Sequence, residues 1–188
     1  MPNSTKRRLP FYRRAIYRVI LSAQRARIYR RLAERLRPRC VISEATEDDL
    51  RAVGLWLSAH DASPLAPVHP GVRNYAAKSA TRVVGFAQLV HNERAHAAFA
   101  GYWLFALQVR LLWRGSGVGT ALCQEVIRQA TAEGAPSLSL LVSAANAPAI
   151  ALYRKLGFEV ASTPALDAAL ETDTTPPDRR RIAMSRPL

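Results

Sequence analysis

Cysteine is scarce in this chain of 188 residues, which has only Cys40 and Cys123, far apart in the sequence. Neither a disulfide scaffold nor a metal site built on cysteines is therefore predicted, and a reducing compartment is expected. Long apolar runs are also missing: none reaches the roughly 18–20 residues that span a bilayer. Because arginines interrupt every apolar stretch near the N-terminus, no secretory signal is predicted. We expect a cytoplasmic protein without a metal.

Acidic residues are nearly absent from the first 39 positions. These positions hold 13 of the 27 lysines and arginines but one acid, Glu34, which leaves 14 basic against 13 acidic residues in the remainder. Of the net charge of +13, an N-terminal arm therefore contributes +12 and the remainder +1. The composition predicts two parts, a basic arm over 1–39 and a globular domain over 40–188, and the hydrophobic content of 49% supports a packed core.

Within the arm, residues 9–37 have the periodicity of one amphipathic helix, which Pro38 ends. A basic amphipathic helix is typical of segments that lie on an anionic membrane, and it can also dock its apolar stripe on the domain or on a second subunit. Binding to nucleic acid or ribosome and a mitochondrial-type presequence are further alternatives. Aromatic residues in the arm favour the two alternatives that bury them: Phe11, Tyr12, Tyr17 and Tyr29.

From Cys40 onward, short β-type runs alternate with helical patterns. The chain predicts strands at Cys40–Ser43, Tyr75–Lys78, Arg82–His91, Tyr102–Arg110, Ser137–Val142, Phe158–Ser162 and Arg180–Ser185. It predicts helices from the Thr46 cap to about Ala59, over Gly115–Gly134, and from the Asn146 cap to Gly157. Residues 60–71 and 163–179 are interpreted as loops. This order predicts an α/β fold, with a mixed sheet and helices packed on its faces.

A glycine-rich turn, Arg114-Gly115-Ser116-Gly117-Val118-Gly119-Thr120, joins a predicted strand to a predicted helix. Glycines allow backbone N–H groups to approach a ligand closely, and a helix N-terminus favours a phosphate. Arg114 adds a cation. An ordinary strand-to-helix turn is the alternative. The glycine spacing matches neither the dinucleotide fingerprint nor a Walker loop.

Two segments together resemble the GNAT superfamily of acyl-CoA N-acyltransferases. Arg114, Gly117 and Gly119 match its pyrophosphate motif. Downstream, the match to its second motif runs through Asn146, Ala149, Leu152, Tyr153, Lys155, Gly157 and Phe158. The resemblance covers residues 40–188. It implies a sheet whose fourth and fifth strands splay apart, and an enzyme that transfers an acetyl or other acyl group from acetyl-CoA to an amine.

The resemblance also implies roles for particular residues. Backbone groups of Leu107 and Val109 would bind the pantetheine amides. The pyrophosphate would be held by Arg114, Gly115, Ser116, Gly117, Val118, Gly119 and Thr120. Asn146 would contact the cofactor arm or cap its helix, and capping alone explains an asparagine there. Tyr153 would protonate the departing thiolate as general acid; a tyrosine packed in the core is the alternative.

The general base has no equivalent in this sequence, because Tyr102–Leu107 of the fourth strand contains no carboxylate. Candidates are water or a side chain among His60, Asp61, Glu93, His96 and Tyr102. The acceptor is expected to be a small-molecule, peptide or protein amine. The missing carboxylate leaves an alternative, namely a non-catalytic acyl-CoA-binding module recruited by its basic arm.

Overall fold

A computed structural model describes residues 40–58, 70–93, 97–171 and 180–188. The predicted arm helix and most of the predicted loop over 60–71 lie outside these ranges. The division into an arm and a domain therefore stays a prediction. None of the helices in the described ranges is long and apolar enough to cross a membrane.

The described residues form seven strands and four α-helices in the order β1 α1 β2 β3 β4 α2 β5 α3 β6 α4 β7. The strands are β1 Cys40–Glu44, β2 Val72–Ser79, β3 Arg82–Asn92, β4 Gly101–Val109, β5 Ser137–Ser143, β6 Glu159–Val160 and β7 Arg181–Pro187. The helices are α1 Glu47–Ser58, α2 Val118–Ala132, α3 Ala147–Lys155 and α4 Pro164–Glu171.

All strands join one sheet, in the order β1-β2-β3-β4-β5-β7-β6. The β4–β5 pair is parallel, and the other neighbouring pairs are antiparallel. This arrangement confirms the predicted mixed α/β sheet.

The two faces of the sheet carry different helices. On one face, which we term the α2/α3 face, side chains such as Leu122 and Tyr153 pack on Leu104 and Leu140 in the largest core cluster. The opposite face, the α1/α4 face, carries two smaller clusters. One lies under α1 and is built on Trp56, Ala76 and Phe86. The other lies under α4 and is built on Leu166, Val90 and Trp103.

The first turn of α1 is fixed by reciprocal hydrogen bonds. Thr46 N donates to Asp49 Oδ2 at 2.9 Å, and Asp49 N donates to Thr46 Oγ1 at 3.3 Å, which satisfies two helix-end donors. Lys78 Nζ of β2 donates to the same carboxylate at 2.9 Å. Burial acts to raise the pKa of Asp49, but the bonds from Thr46 and Lys78 outweigh it and lower that pKa. Asp49 is therefore an ionised structural anchor.

Three sequence predictions were wrong in their details. Helix α2 begins at Val118 rather than Gly115, because Gly115 and Gly117 have φ values of +78° and +91°. The strand predicted over Phe158–Ser162 shrinks to Glu159–Val160. The connection after it contains α4, whose first turn is capped by Thr163 Oγ1 at 3.2 Å from Leu166 N. That Thr-Pro start was a helix signal that the loop interpretation overlooked.

Helix α2 packs onto β3 at Gly85, where there is no room for a side chain. A Cβ at this position would lie 2.8 Å from Val118 Cγ1 and 2.9 Å from Leu122 Cδ1. We expect Gly85→Ala to lower the free energy of unfolding by about 1–3 kcal/mol, because α2 must shift to relieve the overlap. Urea unfolding measures the change.

The matched control is Gly54→Ala in α1, where a Cβ would meet no atom within 4 Å. That substitution should raise stability by up to about 1 kcal/mol, since alanine has the higher helix propensity. Equal unfolding midpoints for the Gly85 variant and the unmodified protein would contradict the close packing described here.

Candidate functional site

The β4 strand carries a β-bulge. Phe86 of β3 pairs with Gln108 and Gln88 pairs with Phe105, so that Ala87 faces two residues of β4, Ala106 and Leu107. Ala106 has a φ of +49°, in the left-handed region that non-glycine residues seldom adopt. A bulge bends its strand and interrupts the ladder.

Next to the bulge, the parallel strands β4 and β5 part. Their pairing covers Tyr102–Leu104 against Leu138–Leu140 and stops there. Beyond it, β4 continues to Val109 along β3, and β5 continues to Ser143 along β7. This confirms the predicted splay. Apart from the Val109 carbonyl, which accepts from Arg114 Nε, the backbone groups of Phe105–Val109 that would have faced β5 are therefore open to another partner, which fits the amides of an extended ligand.

The glycine-rich turn closes one end of this cleft. A Cβ on Gly119 would lie 3.6 Å from Val109 Cγ2 of β4 and 3.5 Å from Leu152 Cδ2 of α3. The first turn of α2 therefore lies between the end of β4 and α3. This position brings the predicted phosphate loop next to the predicted pantetheine strand.

The N-terminus of α2 is suited to an anion. Its first hydrogen bond runs from Ala121 N to Gly117 O at 3.0 Å, which leaves the N–H groups of Val118, Gly119 and Thr120 without a partner in the helix. In the described part of the chain, no side chain caps this end. Gly115 and Gly117 turn the chain so that it enters the helix there. The fit to a pyrophosphate is good, because open donors and the helix dipole act in the same direction.

Arg114 is exposed, and the last residue of β4 orients its side chain. Its Nε donates to Val109 O at 3.1 Å. The two Nη groups have no hydrogen bond to the described residues, and they remain available to a phosphate oxygen. The Val109 carbonyl thus holds Arg114, which adds a structural role to the cofactor role predicted for this residue.

Ser116 and Val118 are the buried residues of the loop, and Ser116 is the polar one of the two. The Ser116 Oγ donates to Trp113 O at 2.5 Å, and its N–H lies 3.3 Å from the same carbonyl. These bonds hold the turn together. The phosphate contact predicted for Ser116 stays a prediction, and the open N–H groups follow it in the chain.

Asn146 is the N-cap of α3. Its Oδ1 accepts a hydrogen bond from Ala149 N at 3.3 Å, with Pro148 in the first turn. The capping alternative therefore accounts for this residue, while the cofactor contact stays a prediction.

A pair of substitutions separates these two roles. We expect Asn146→Ala to lower the unfolding free energy by about 1 kcal/mol, because the cap is lost, whereas Asn146→Asp should retain it. Thermal unfolding measures both. A weaker acetyl-CoA affinity of the Asp variant at unchanged stability would assign a cofactor contact to the side chain.

Tyr153 of α3 is almost completely buried, and its ring packs edge-on against Phe158 at 5.9 Å between centroids. No described residue hydrogen-bonds its hydroxyl. Burial, followed by the nearby Cys123, raises the pKa of Tyr153 well above its ordinary value. The hydroxyl therefore keeps its proton at neutral pH, as a proton donor must.

Cys123 of α2 is fully buried, and burial raises the pKa of its thiol to about 12. A neutral thiol is a poor nucleophile, so this residue is unsuited to carry an acyl group at neutral pH. An acyl-enzyme formed on Cys123 is therefore not expected.

The candidate bases within the described residues are not brought to the cleft. His60, Asp61 and His96 lie outside the described residues. Glu93 is exposed and lies 3.7 Å from His91 Nδ1. Tyr102 stacks on His91 with centroids 4.0 Å apart, at the other end of β4. Its pKa is raised by burial and then by Glu133, so the hydroxyl stays protonated at neutral pH and is not available as a base.

Carboxylates with mostly buried side chains are also unavailable. In the described ranges, each of them is paired with a cation: Asp49 with Lys78, Glu125 with Arg128, and Glu133 with Arg73. The proton of the acceptor amine must therefore go to water or to a group outside these ranges.

Sequence reasoning missed one feature near the cleft. Asn74 and Gln88 are buried polar residues on the α1/α4 face, and Gln88 Nε2 donates to Asn74 Oδ1 at 2.9 Å. The available signal was an amide in the middle of the apolar run of β3, which spans Arg82–Asn92.

Sequence comparison finds relatives among acetyltransferases. The chain is 34% identical over 85 residues to an L-methionine sulfoximine/L-methionine sulfone acetyltransferase of Pseudomonas paraeruginosa, covering 45% of this chain and 49% of that protein. It thus spans about half the length of this curated relative.

Solved structures match a larger share of the chain. The ribosomal-protein-S18-alanine N-acetyltransferase of Escherichia coli has a TM-score of 0.61 and 25% identity, covering 79% of this chain and 93% of that one. Arabidopsis thaliana Naa50, in complex with the bisubstrate analogue CoA-Ac-MVNAL, has a TM-score of 0.60 and 16% identity, covering 80% and 99%. The second likeness shows the fold alone.

Residues 34–158 match the acetyltransferase (GNAT) family. This range contains the bulged β4 strand, the glycine-rich turn and α3. The cleft, the two motifs and this match lead to one conclusion: the chain belongs to the acetyltransferase (GNAT) family.

Proposed function

We propose that the domain transfers an acetyl group from acetyl-CoA to an amine by direct attack on the thioester. The observation that carries this proposal is the cleft itself. Strands β4 and β5 part beyond Leu104 and Leu140, and the open N–H groups at the start of α2 lie at the end of the gap. Family membership and the acetyltransferase relatives support the same activity.

Each part of acetyl-CoA has a counterpart in the cleft. The N–H groups of Gly117–Thr120 and the Nη groups of Arg114 bind the pyrophosphate, which needs several donors and a cation. Backbone groups of Leu107 and Val109 that Arg114 does not occupy bind the pantetheine amides. The relative that was solved with a CoA-containing bisubstrate analogue has the same fold, which supports this assignment.

The acceptor approaches from the α1/α4 face, where Phe105 beside the gap is exposed, whereas α2 and α3 pack over the sheet on the other face. The amine nitrogen attacks the thioester carbon, and the C–S bond then breaks. Tyr153 gives its proton to the thiolate, so that free CoA leaves as a thiol. The amine loses its proton to water or to a group outside the described residues, and Tyr153 is reprotonated from solvent.

Isothermal titration with acetyl-CoA tests the first half of this proposal. Micromolar binding is expected, and no binding in that range would refute it. A thiol-release screen over amines, peptides and aminoglycosides tests the second half. Acetyl-CoA binding without thiol release from any acceptor would favour a non-catalytic binding module instead.

We also propose that the protein works in the cytoplasm and that its arm attaches to an anionic membrane. The concentration of 13 basic residues with one acid in residues 1–39 supports this, together with its aromatic residues. A full-length variant with Ile16→Gln, Ile20→Gln and Leu32→Gln should pellet less with vesicles containing phosphatidylserine. Equal pelleting would leave docking on the domain or on a second subunit as the role of the apolar stripe.

A further inference from the structure

Between α1 and α4, the α1/α4 face of the sheet carries a pair of buried amides among apolar side chains. Asn74 lies between Val72 and Ala76 of β2, and Gln88 lies between Phe86 and Val90 of β3. Val72 and Val90 belong to the cluster under α4, whereas Ala76 and Phe86 belong to the cluster under α1. The amide pair therefore occupies the strip of sheet between the two helices.

This strip continues directly to the cleft. Asn74 is opposite Gln88, and Gln88 is opposite Phe105. Phe105 is the first residue of β4 beyond its last pair with β5, and it is 39% exposed. Across the gap, Leu141 of β5 is opposite Ala183 of β7. We call the residues Asn74, Gln88, Phe105, Leu141 and Ala183 the central row.

Within the central row, the side-chain amide of Asn74 has a hydrogen-bond partner for its oxygen but none among the described residues for its nitrogen. Its Oδ1 accepts from Gln88 Nε2, but its Nδ2 donates to no described residue. Every fully buried side-chain nitrogen or oxygen of the described residues does have a partner. The Nδ2 group must therefore reach the open surface of the strip, although Asn74 as a whole is only 9% exposed.

From this geometry we infer that the Asn74 amide binds an oxygen of the acceptor and positions its amine at the thioester. This inference rests on the proposed function. When an acceptor covers this strip and displaces water from the N–H donor, a carbonyl or carboxylate oxygen of the ligand is favoured, because leaving the donor unpaired costs free energy. Phe105 supplies apolar contact beside it, and the central row carries no formal charge that would hold a polyamine. The acceptor class is an amine with a nearby carbonyl, as in an amino acid amide or a peptide N-terminus.

Two variants and two probe acceptors test the inference. Asn74→Leu removes the whole amide, and Asn74→Asp keeps an oxygen for Gln88 Nε2 but loses the donor. Ser139→Ala is the control, because Ser139 Oγ lies 3.2 Å from Ser185 Oγ and already has its partner. Each protein is assayed for kcat/KM with alaninamide and with isopropylamine, which lacks the carbonyl. Each acceptor is compared across the proteins, so that the difference in amine pKa between the two acceptors does not affect the measured losses.

The unmodified protein should prefer alaninamide. Both Asn74 variants should lose about 10-fold in kcat/KM for alaninamide, the loss of one hydrogen bond, but less than about 2-fold for isopropylamine. Ser139→Ala should change neither. Equal losses for both acceptors, or a preference of the unmodified protein for isopropylamine, would overturn the inference.

Titration with acetyl-CoA separates failure of this inference from failure of the proposed function. Acetyl-CoA should bind both Asn74 variants with the affinity of the unmodified protein, because Asn74 lies two strands away from the cofactor cleft. If acetyl-CoA binds but no carbonyl-bearing amine is acetylated, the acceptor assignment is wrong and the cofactor site stands. If acetyl-CoA binds none of the proteins, the proposed function itself is wrong.

Discussion

Replacing Gly119 by glutamate is expected to weaken acetyl-CoA binding by about 100-fold or more. The new carboxylate would enter the end of the cleft, close to Val109 and Leu152, where the pyrophosphate is proposed to bind. Two like charges about 4 Å apart repel by roughly 4 kcal/mol near a protein surface. Isothermal titration measures the loss directly.

The fold should survive this substitution. A carboxylate in the first turn of a helix is favourable to the helix dipole, so α2 should not be destabilised. Gly119→Ala is the matched control, because its Cβ would make ordinary contacts at 3.5 and 3.6 Å. It should bind acetyl-CoA almost normally. Gly117 is unsuitable for this comparison, since its φ of +91° would strain any other residue. Normal binding by Gly119→Glu would place the anion elsewhere.

The second large effect is expected from Tyr153→Phe, which should lower kcat by about 100-fold while leaving acetyl-CoA affinity unchanged. The variant retains the ring that packs against Phe158. No described residue loses a hydrogen bond when the hydroxyl is removed, so a change in turnover reports on proton transfer rather than on folding.

Tyr75→Phe is the control for this substitution. Tyr75 is also buried in the main core cluster, and burial raises the pKa of its hydroxyl to about 12. It lies on β2, away from the cleft, and its variant should retain full activity. Equal activity of the Tyr153 variant and the unmodified protein would remove Tyr153 from the mechanism.

The pH dependence of the reaction is expected to reflect both Tyr153 and the acceptor amine. Because burial raises the pKa of Tyr153, its hydroxyl remains protonated at and above neutral pH. The acceptor amine reacts only when neutral, so kcat/KM should rise with pH as the amine loses its proton. A decrease in rate near pH 8 that disappears in Tyr153→Phe would contradict the raised pKa.

Much of the fold could be predicted because its signals are local. The Thr46 and Asn146 caps, the apolar alternation of β5 and the glycines after α2 and α3 depend on neighbours within a few residues. The predicted element order was correct apart from α4. That helix was missed because the loop indicated by the composition after Glu171 was taken to begin at residue 163. This interpretation overlooked the helix start that Thr163 caps.

The acetyltransferase motifs were visible in the sequence for a related reason. Arg114–Thr120 and Asn146–Phe158 are short segments whose glycines, caps and cations have fixed spacing. The sequence could not reveal how Ser116 and Arg114 use their side chains, because the partner of each is a backbone carbonyl that only the folded turn brings near.

By itself, the sequence determined the class of the fold, the position of the glycine-rich turn and the concentration of charge in the first 39 residues. Those properties depend on residue type and spacing along the chain. The tertiary structure alone decided where β4 and β5 part, and which polar groups lie beside that gap. Asn74, Gln88 and Phe105 come from three strands, and only strand register places them in one row next to the cleft.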